Sequence, residues 1–549
     1  MNDLEFELEN QIIIAKFGST TKEVLEHLNY ALTSDIIGVM ADFQLKSLNE
    51  PLTSNGQLRL VRLHTSIGHK MYRRSLCFLL AKVLRKLYPN LITRISHSLG
   101  AAYLFRLILK DDPNLDQELI QSELENEVQK NQNINFHLLT YAEAKKRLEN
   151  SGKTDQILLL AQKNNREVAA YESEGFWELA HFPLAHQTGI LSVFRVELTE
   201  DVLLLHFPEK TYPLQMGSLK PQPKFNNIFK EYQRWADILG VPTVARLNQI
   251  ASTSEVQEFI QVSETLHEKK LSNLADQIVQ NENLRLVLIS GPSSAGKTTF
   301  TKKLAIHLRT VGLRPQIIGL DDYFVSREET PLGEDGLPDF ESLHALDIPL
   351  LNQHLLQLLN GEEAELPIFD FKLGHRKNQR RKLNLGSKEV LLMEGIHALN
   401  DELTHLVPRV HKFKIFISAL TQLSLDNNFR ISTTDNRLIR RMVRDYQFRG
   451  YSALHTLRMW PSVRRGEDKN IFPFQETADA VFNSALDYEI SVLKNYVLPL
   501  LKQVPSDDPQ STHALRLLDF LENFIPIPSQ YVPPYSILRE FIGQSGFRY

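Results

Sequence analysis

Short apolar runs separated by helical stretches dominate the chain from residue 284 onward. The runs that predict buried strands are Leu284–Ser290, Gln316–Leu320, Val390–Met393, Lys412–Ile417 and Asp479–Phe482. Strands that alternate with helices predict a parallel sheet, and ligands of such sheets bind at the carboxyl ends of the strands. We therefore predict an α/β domain over residues 283–500 with its site at that edge, followed by a C-terminal helix and tail over residues 501–549.

The pattern before residue 283 predicts two α+β modules and a helical connection. Residues 1–64 contain one helical segment, Thr21–Leu32, which favours a small module of ubiquitin-like size. Its β-like runs are Gln11–Phe17, Ile36–Ala41 and Leu58–Leu63. Residues 65–217 alternate helical and β-like stretches, which are 68–88, Asn114–Asn131, Tyr141–Gly152, Ile190–Leu198 and Val202–His206. A proline-bearing linker, Ser218–Lys224, opens the mostly helical connection 218–282.

Composition places the chain among ordinary globular proteins, with 549 residues of which 42% are hydrophobic and 23% charged. Cys77 is the only cysteine, which excludes disulfide scaffolds and cysteine zinc sites within one chain, and its apolar surroundings predict an inert core thiol. The first residues are polar, and no apolar run reaches about 18 residues, so we expect a cytoplasmic protein without membrane contact. The net charge of −4 hides an uneven distribution, because residues 51–110 carry 11 Lys or Arg and no acid.

The stretch Gly291–Thr299 carries the clearest chemical signal of the chain. It lies between a predicted strand and the helical stretch Phe300–Thr310, and it matches the P-loop pattern G-x-x-x-x-G-K-[ST]. Gly291 and Gly296 allow the backbone to approach phosphate oxygens, Lys297 can reach the β- and γ-phosphates, and the Thr298 hydroxyl can ligate Mg²⁺. The residues predicted to bind ATP are Gly291, Pro292, Ser293, Ser294, Ala295, Gly296, Lys297, Thr298 and Thr299.

Carboxylates follow the next two predicted strands at the same edge of the sheet. Asp321, next to Asp322, can accept the proton of an attacking hydroxyl or order the water shell of Mg²⁺, although a pair that caps the next turn has the same sequence. Glu394 suits an outer role at Mg²⁺, and the alternative is a plain acid at a strand end.

A helical stretch rich in arginine comes later in the chain. Its cations are Arg437, Arg440, Arg441, Arg444 and Arg449. Several arginines on a helix that enters a glycine turn are typical of a lid over triphosphate charge. A solvated basic helix is the alternative.

These motifs together resemble the uridine kinase/phosphoribulokinase family over roughly residues 284–495. The stretches that carry the resemblance are Gly291–Thr298, Leu320–Phe324, Phe340–Glu341, Pro367–Phe371, Glu394–Ile396 and Arg437–Arg449. The resemblance implies Mg²⁺-assisted transfer of phosphate from ATP to the 5′-hydroxyl of a nucleoside. It implies that Asp321 is the general base and a metal-side residue, that Glu394 is the second metal-side acid, and that Lys297 assists catalysis.

The resemblance also implies a substrate pocket and a lid. Arg441, Arg444 and Arg449 match the lid arginines, and Glu341 stands where the family usually has an Asp that holds the ribose. The expected pocket residues are Asp321, Tyr323, Phe340, Glu341, Phe369 and His375. The family places a Tyr and a His around the pyrimidine, whereas this chain has Phe369 and Gly374 there, with His375 one residue later. A lost hydroxyl in a hydrogen-bonding pocket relaxes discrimination, so the nucleoside stays open. The basic run Lys372–Lys382 is either a substrate clamp or an exposed hairpin.

Two further stretches extend beyond this family core. The insert Met459–Glu476 is expected either to cover the nucleotide like a lid or to pack against the N-terminal part. The tail after Pro526 ends in the apolar segment Ser536–Gly543, which is expected to dock on another surface because its apolar residues need one.

The N-terminal part resembles modules of threonyl-tRNA synthetases. Residues 1–64 are similar to the TGS domain, and residues 68–215 to the second additional domain that follows it there. Arg74 and Phe78 occupy the two positions of the editing H-x-x-x-H pair, and the later cysteine is also missing, so no metal or hydrolytic centre is expected.

Three functions remain open on the sequence. The leading hypothesis is a nucleoside kinase that uses ATP and Mg²⁺, for which a homo-oligomer is one open assembly. A regulator that binds RNA or tRNA through the basic stretch 51–110 is the second. The third is a kinase of a non-nucleoside sugar or polyol.

Overall fold

The computed structural model describes residues 3–9, 11–108, 115–161, 167–199, 202–210, 212–216, 231, 234–333, 336, 338–370 and 373–548. The predicted linker Ser218–Lys224 lies outside these residues, as do Phe371 and Lys372. Among the helices within these ranges, none is long and apolar enough to cross a membrane.

A parallel five-stranded sheet forms the centre of the C-terminal part, as predicted. Its strands, in spatial order, are Arg314–Gly319, Glu389–Glu394, Leu286–Ser290, Lys412–Ser418 and Ala480–Asn483. Every neighbouring pair is parallel, with Ile289 opposite both Glu394 and Ile415. The strand Leu286–Ser290 is buried along its whole length, which explains its continuous apolar run.

Helices cover both faces of this sheet. They are Val244–Ala251, Glu255–Val279, Lys297–Thr310, Ile348–Leu359, Thr433–Arg449, Ala453–Asn470, Glu489–Leu501, Ser511–Glu522 and Arg539–Ile542. Short two-stranded pairs add Ala364–Leu366 with Arg381–Leu383, Phe369–Asp370 with His375–Arg376, and Ser424–Asp426 with Phe429–Arg430. The apolar residues of the sheet and helices form two cores, one on each face.

The first module is a five-stranded sheet with one short helix. Its strands, in spatial order, are Gln11–Lys16, Asp3–Leu8, Gly56–Arg62, Ile36–Ala41 and Gln44–Lys46. The helix Thr21–His27 begins at a capping box formed by Thr20 and Glu23, and it ends before the predicted Leu32. The α+β character predicted for this module is present, while its relation to TGS domains stays a prediction.

The second module packs two sheets around the long helix Ser66–Leu87. Cys77 lies buried on that helix, as predicted. The four-stranded sheet orders Arg195–Leu198, Val202–His206, Ala102–Ile108 and Ile92–Leu99, and the three-stranded sheet orders Phe176–Leu179, Glu167–Ser173 and Asn135–Thr140. The remaining helices are Gln117–Gln129, Tyr141–Asn150 and Thr154–Leu160. The expectation of a strand from Ile190 was wrong for residues 190–194, because residues 188–190 form a 3₁₀ turn.

A hairpin of the C-terminal part, Ser424–Arg430, inserts into this second module; we call it the plug hairpin. Asp426 at its turn is fully buried and accepts hydrogen bonds from His181 Nε2 at 2.8 Å and Gln156 Nε2 at 2.9 Å. Arg74, at the first position of the missing histidine pair, donates to the carbonyl of Asn428 and stacks on Phe429. The plug hairpin therefore contacts Arg74, the first of the two positions where the resemblance would place an editing pair, whereas Phe78, at the second position, packs against Phe176.

Candidate active site

The P-loop, Gly291–Thr299, connects the central strand to the helix Lys297–Thr310. Ser294 and Gly296 adopt positive φ values of 59° and 83°, which wraps the chain around the helix start. A Cβ at Gly291 would lie 2.1 Å from the carbonyl oxygen of Ile417, so only glycine allows this approach to the neighbouring strand. The loop therefore has the geometry that exposes amides at a helix N-terminus to an anion.

Lys297 lies at the centre of the charges around the loop. Its Nζ donates to the carbonyls of Gly291 at 2.9 Å and Pro292 at 3.3 Å. Burial lowers the pKa of Lys297, although the nearby carboxylates of Glu394 and Asp321 oppose this shift. The carboxylates that oppose the charge of Lys297 therefore lie at the ends of the two strands for which the sequence predicted acids.

The predicted acids meet at the carboxyl edge of the sheet. Asp321 lies in a 3₁₀ turn directly after its strand, and burial raises its pKa, against the attraction of Lys297. Burial also raises the pKa of Glu394 to about 7. Asp322 is set apart from this pair, since it accepts the amide of Phe369 at 3.2 Å.

These residues fit a hard divalent cation. Thr298 donates a hydrogen bond to Glu394, and Asp321 and Glu394 interact electrostatically, so the candidate ligands are all oxygens. Mg²⁺ prefers oxygen ligands and keeps most of its waters, needing only one or two carboxylates. Two buried carboxyls with raised pKa values would regain their charge beside a cation. The described ranges hold no cluster of three metal-ligating side chains, which is compatible with such a sparsely liganded ion.

The arginine-rich stretch forms the helix Thr433–Arg449, which we call the lid helix. It begins at the N-cap Ser432 and ends at Gly450, whose φ of 70° terminates it. Arg437 and Arg440 are fully buried, so the alternative of a solvated basic helix is wrong for them. Arg437 forms a two-point ion pair with Glu467 and contacts the carbonyl of Ser293 at 3.3 Å.

The other arginines of the lid helix have partners both on the P-loop and on the lid helix itself. Arg440 pairs with Glu489 and donates to the carbonyl of Ser294 at 3.3 Å. Arg441 donates to the Ser293 hydroxyl at 2.7 Å. Three arginines surround Asp445, namely Arg441, Arg444 and Arg449. The lid helix is therefore attached to the P-loop. Arg449 lies within electrostatic reach of Asp321, and Arg444 within reach of Lys297.

The predicted acceptor residues are only partly brought together. Glu341 lies in the site, where burial and the nearby charge of Glu467 raise its pKa to about 7 and Arg441 and Lys297 oppose the shift. His397, which sequence analysis missed, lies against the backbone of Glu341, and burial lowers its pKa to about 4. Burial therefore favours the neutral form of His397 beside Glu341.

The remaining acceptor candidates lie at the margin. Phe369 packs beside Phe324, with ring centres 5.8 Å apart. Phe340 is half-exposed, and His375 is exposed with its Nδ1 3.0 Å from the carbonyl of Arg376. Tyr323 is buried and its hydroxyl lies 3.0 Å from His354 Nδ1, so the structure does not bring it to the site.

The basic run after Phe369 is partly structural. Arg376 donates to the carbonyls of Phe324 at 3.0 Å and Tyr323 at 2.9 Å, and it pairs with Asp347. It therefore fixes the short hairpin beside the site rather than reaching toward a substrate.

The first part of the predicted insert belongs to a separate helix, Ala453–Asn470, which follows the lid helix after Gly450. Trp460 is buried against Arg437, with the guanidinium 5.5 Å from the ring centre, so the insert packs inside the kinase core and not on the N-terminal part. Glu467 accepts the amide of Ser293 at 2.9 Å. Its position in the site follows from tertiary packing, and only its place in an unusual insert marked it in the sequence.

The basic stretch 51–110 has many intramolecular partners. Its ion pairs are Arg62 with Asp35, Lys82 with Glu127, Lys86 with Glu123, and Arg106 with Asp237. Arg94 donates to Asn427 of the plug hairpin at 2.8 Å. Four of its 11 Lys and Arg side chains thus have an acidic partner within the chain.

Comparison with known proteins finds kinases among the relatives of this chain. Residues 286–491 match the model of the phosphoribulokinase/uridine kinase family. The uridine kinase of Bacillus pumilus is 30% identical over 194 residues, which cover 35% of this chain and 83% of that protein. The uridine kinase of Mycoplasma genitalium is 32% identical over 178 residues, which cover 32% of this chain and 74% of that protein.

A solved structure titled as a possible uridine kinase from Bacillus stearothermophilus covers 39% of this chain and 98% of its own, with 17% identity and a TM-score of 0.27. That score carries no argument about function. With its P-loop, its acids at the sheet edge and these relatives, the chain belongs to the phosphoribulokinase/uridine kinase family and is a phosphotransferase.

Proposed function

We propose that the protein transfers a phosphoryl group from ATP to the 5′-hydroxyl of a nucleoside of the uridine or cytidine type, with Mg²⁺ as the metal. The observation that carries the proposal is the meeting of Lys297, Asp321 and Glu394 at one edge of the sheet, directly beside the P-loop.

The roles of the residues follow from their charges and positions. Lys297 and the P-loop amides neutralise the triphosphate, and the arginines at the end of the lid helix approach the charge of the transferred group. Asp321 takes the proton of the acceptor hydroxyl, and the nearby charge of Lys297 favours the ionised carboxylate that this role needs. Glu341 holds the acceptor by hydrogen bonds.

The metal has a defined place in this scheme. Thr298 and Glu394 would hold Mg²⁺, with Asp321 on the same side of the site. When bound, the ion neutralises charge on the β- and γ-phosphates. Phosphoryl transfer depends mainly on positioning and electrostatic stabilisation, so this arrangement supplies what the reaction needs.

The test measures ADP release from the purified protein with ATP and Mg²⁺ across a panel of nucleosides, free sugars, polyols and tRNA. An Asp321→Asn variant is compared with Asp322→Asn, the neighbouring acid that binds the amide of Phe369. We expect turnover with a nucleoside that falls about 10²- to 10⁴-fold in Asp321→Asn and much less in Asp322→Asn.

The other outcomes separate the alternatives. Turnover only with a sugar or polyol would keep the mechanism but refute the nucleoside assignment. It would favour the third hypothesis, a kinase of a non-nucleoside sugar or polyol, which Phe369 in place of the family's Tyr leaves open. Hydrolysis of ATP stimulated by tRNA without transfer to a small molecule would refute the kinase assignment in favour of the RNA-binding regulator.

A further inference from the structure

The C-terminal segment Ser536–Gly543, which we call the strap, lies across the P-loop. Ile537, Leu538 and Phe541 are fully buried in the core of the kinase domain. The surface on which the tail was predicted to dock is therefore the chain's own nucleotide domain. Arg539 fixes the segment by donating to the carbonyls of Ser529 at 2.9 Å and Val532 at 2.6 Å.

The strap reaches the two parts of the P-loop that would surround a phosphate. A Cβ at Gly296 would lie 2.5 Å from Cγ2 of Ile537, so the strap packs directly on the second glycine of the motif. Glu540 Oε2 accepts hydrogen bonds from the backbone N–H of Thr299 at 3.0 Å and from its hydroxyl at 2.7 Å.

Thr299 lies in the first turn of the helix Lys297–Thr310, where backbone N–H groups have no partner within the helix. Such amides, together with the helix dipole, bind the phosphates of a nucleotide. The carboxylate of Glu540 makes the kind of contact there that a phosphate oxygen would make. One N–H cannot serve both anions, and the negative charge of Glu540 also repels a triphosphate.

Two other donors of the loop also have internal partners. The amide of Ser293 donates to Glu467, and Lys297 donates to two carbonyls of the loop. Glu467 is held in place by its two-point pair with Arg437. Glu540, in contrast, is only half-buried, and its carboxylate is attached to the P-loop by the two hydrogen bonds to Thr299.

We propose that the strap is an autoinhibitory element of the nucleotide site, in which Glu540 occupies a phosphate position and ATP must displace it. This inference rests on the proposed function, because it assumes that the P-loop binds a nucleoside triphosphate. Displacement of Glu540 removes two hydrogen bonds that attach the strap to the P-loop, so that nucleotide binding and the order of the segment oppose each other.

The first experiment measures the affinity for a fluorescent ATP analogue, MANT-ATP, without acceptor. The variants are Glu540→Gln and Glu540→Ala, and the matched control is Glu522→Gln, an exposed acid at the end of the helix Ser511–Glu522. We expect both Glu540 variants to bind about tenfold tighter than the wild type or better. The control should bind like the wild type. Equal or weaker binding by both Glu540 variants would overturn the proposal.

A second measurement avoids dependence on the variants. Amide hydrogen exchange of residues 536–543 is followed in the wild-type protein with and without a slowly hydrolysed ATP analogue. We expect faster exchange when the analogue is bound, and unchanged or slower exchange would overturn the strap's inhibitory role.

The same samples separate this inference from the proposed function. Binding of MANT-ATP without phosphoryl transfer to any acceptor would refute the proposed function alone, and the ratio between Glu540 variants and wild type would still decide the inference. Absence of nucleotide binding in the wild type and in both variants would overturn both.

Discussion

Replacement of Glu467 by alanine should destabilise the kinase domain strongly. Glu467 and Arg437 are both about fully buried, with 1% of each side chain exposed. Burial alone would raise the pKa of Glu467, but hydrogen bonds from Arg437 hold it below its ordinary value. The carboxylate also accepts the Ser293 amide and a bond from Arg464 at 2.9 Å. Its removal would leave a buried guanidinium without its counter-charge.

The magnitude follows from that unpaired charge. Breaking one side of a buried ion pair costs about 3–5 kcal/mol. For a domain of about 200 residues, each kcal/mol lowers the unfolding midpoint by about 2–4 °C, so the expected loss is about 6–20 °C. Replacement of the pair as a whole is expected to cost far less, because Arg437→Met with Glu467→Met leaves no buried charge.

Calorimetric unfolding of four proteins tests this reasoning. They are the wild type, Glu467→Ala, the double variant, and Asp468→Ala as the matched control, since Asp468 is 63% exposed and its pair with Arg464 spans 3.3 Å. The control should stay within about 2 °C of the wild type, as surface pairs contribute little. A midpoint for Glu467→Ala equal to that of the control would refute the argument, as would a double variant less stable than Glu467→Ala.

Three other predictions concern the loop, the plug hairpin and a buried histidine. Lys297→Ala should weaken MANT-ATP binding about tenfold or more, because a charged donor is lost, and an unchanged dissociation constant would contradict its role. Asp426→Ala should lower stability by about 3–5 kcal/mol in urea denaturation and expose the plug hairpin to limited proteolysis, because His181 and Gln156 lose their buried acceptor; protease resistance equal to the wild type would count against it. Burial lowers the pKa of His267 to about 3, so its contribution to stability is present above the unfolded pKa and is lost as pH falls toward the folded one. Between pH 6.5 and about 3, this histidine lowers the free energy of unfolding by about 1.4 kcal/mol per pH unit. In His267→Phe, whose ring would pack against Phe482, the free energy of unfolding should fall less steeply over this pH range. Parallel stability curves for the variant and the wild type would exclude His267 as the source.

The hydrophobic pattern of each element explains whether the sequence predicted it. The five strands of the parallel sheet were confirmed. The signal was strongest for Leu286–Ser290, which is buried along its whole length and reads as a continuous apolar run, whereas the edge strand Arg314–Gly319 is apolar only in part. The strands Ile92–Leu99 and Ala102–Ile108 were missed, since basic residues interrupt their apolar pattern and take partners from other parts of the chain. The helix at Thr21 was right in kind but too long, because its end depends on local capping.

The candidate site shows the same division. Spacing within one motif identified the P-loop, and the order of strand ends predicted Asp321 and Glu394 beside it. In the structure, Glu394 lies within electrostatic reach of both Lys297 and Asp321. Tyr323 carried the same motif-based expectation, yet its hydroxyl lies against His354 inside the core. A motif specifies residue types along the backbone, whereas the side on which each side chain packs depends on distant residues.

The sequence by itself determined the fold class, the P-loop and the edge of the sheet where the chemistry belongs, because these follow from periodicity and local geometry. Tertiary structure alone decided that Glu467 and Glu540 contact P-loop amides, 174 and 241 residues away in the chain. It also decided that the plug hairpin fills the second module. Contacts of that kind depend on how separately formed elements pack, and a single sequence contains no local pattern that reports them.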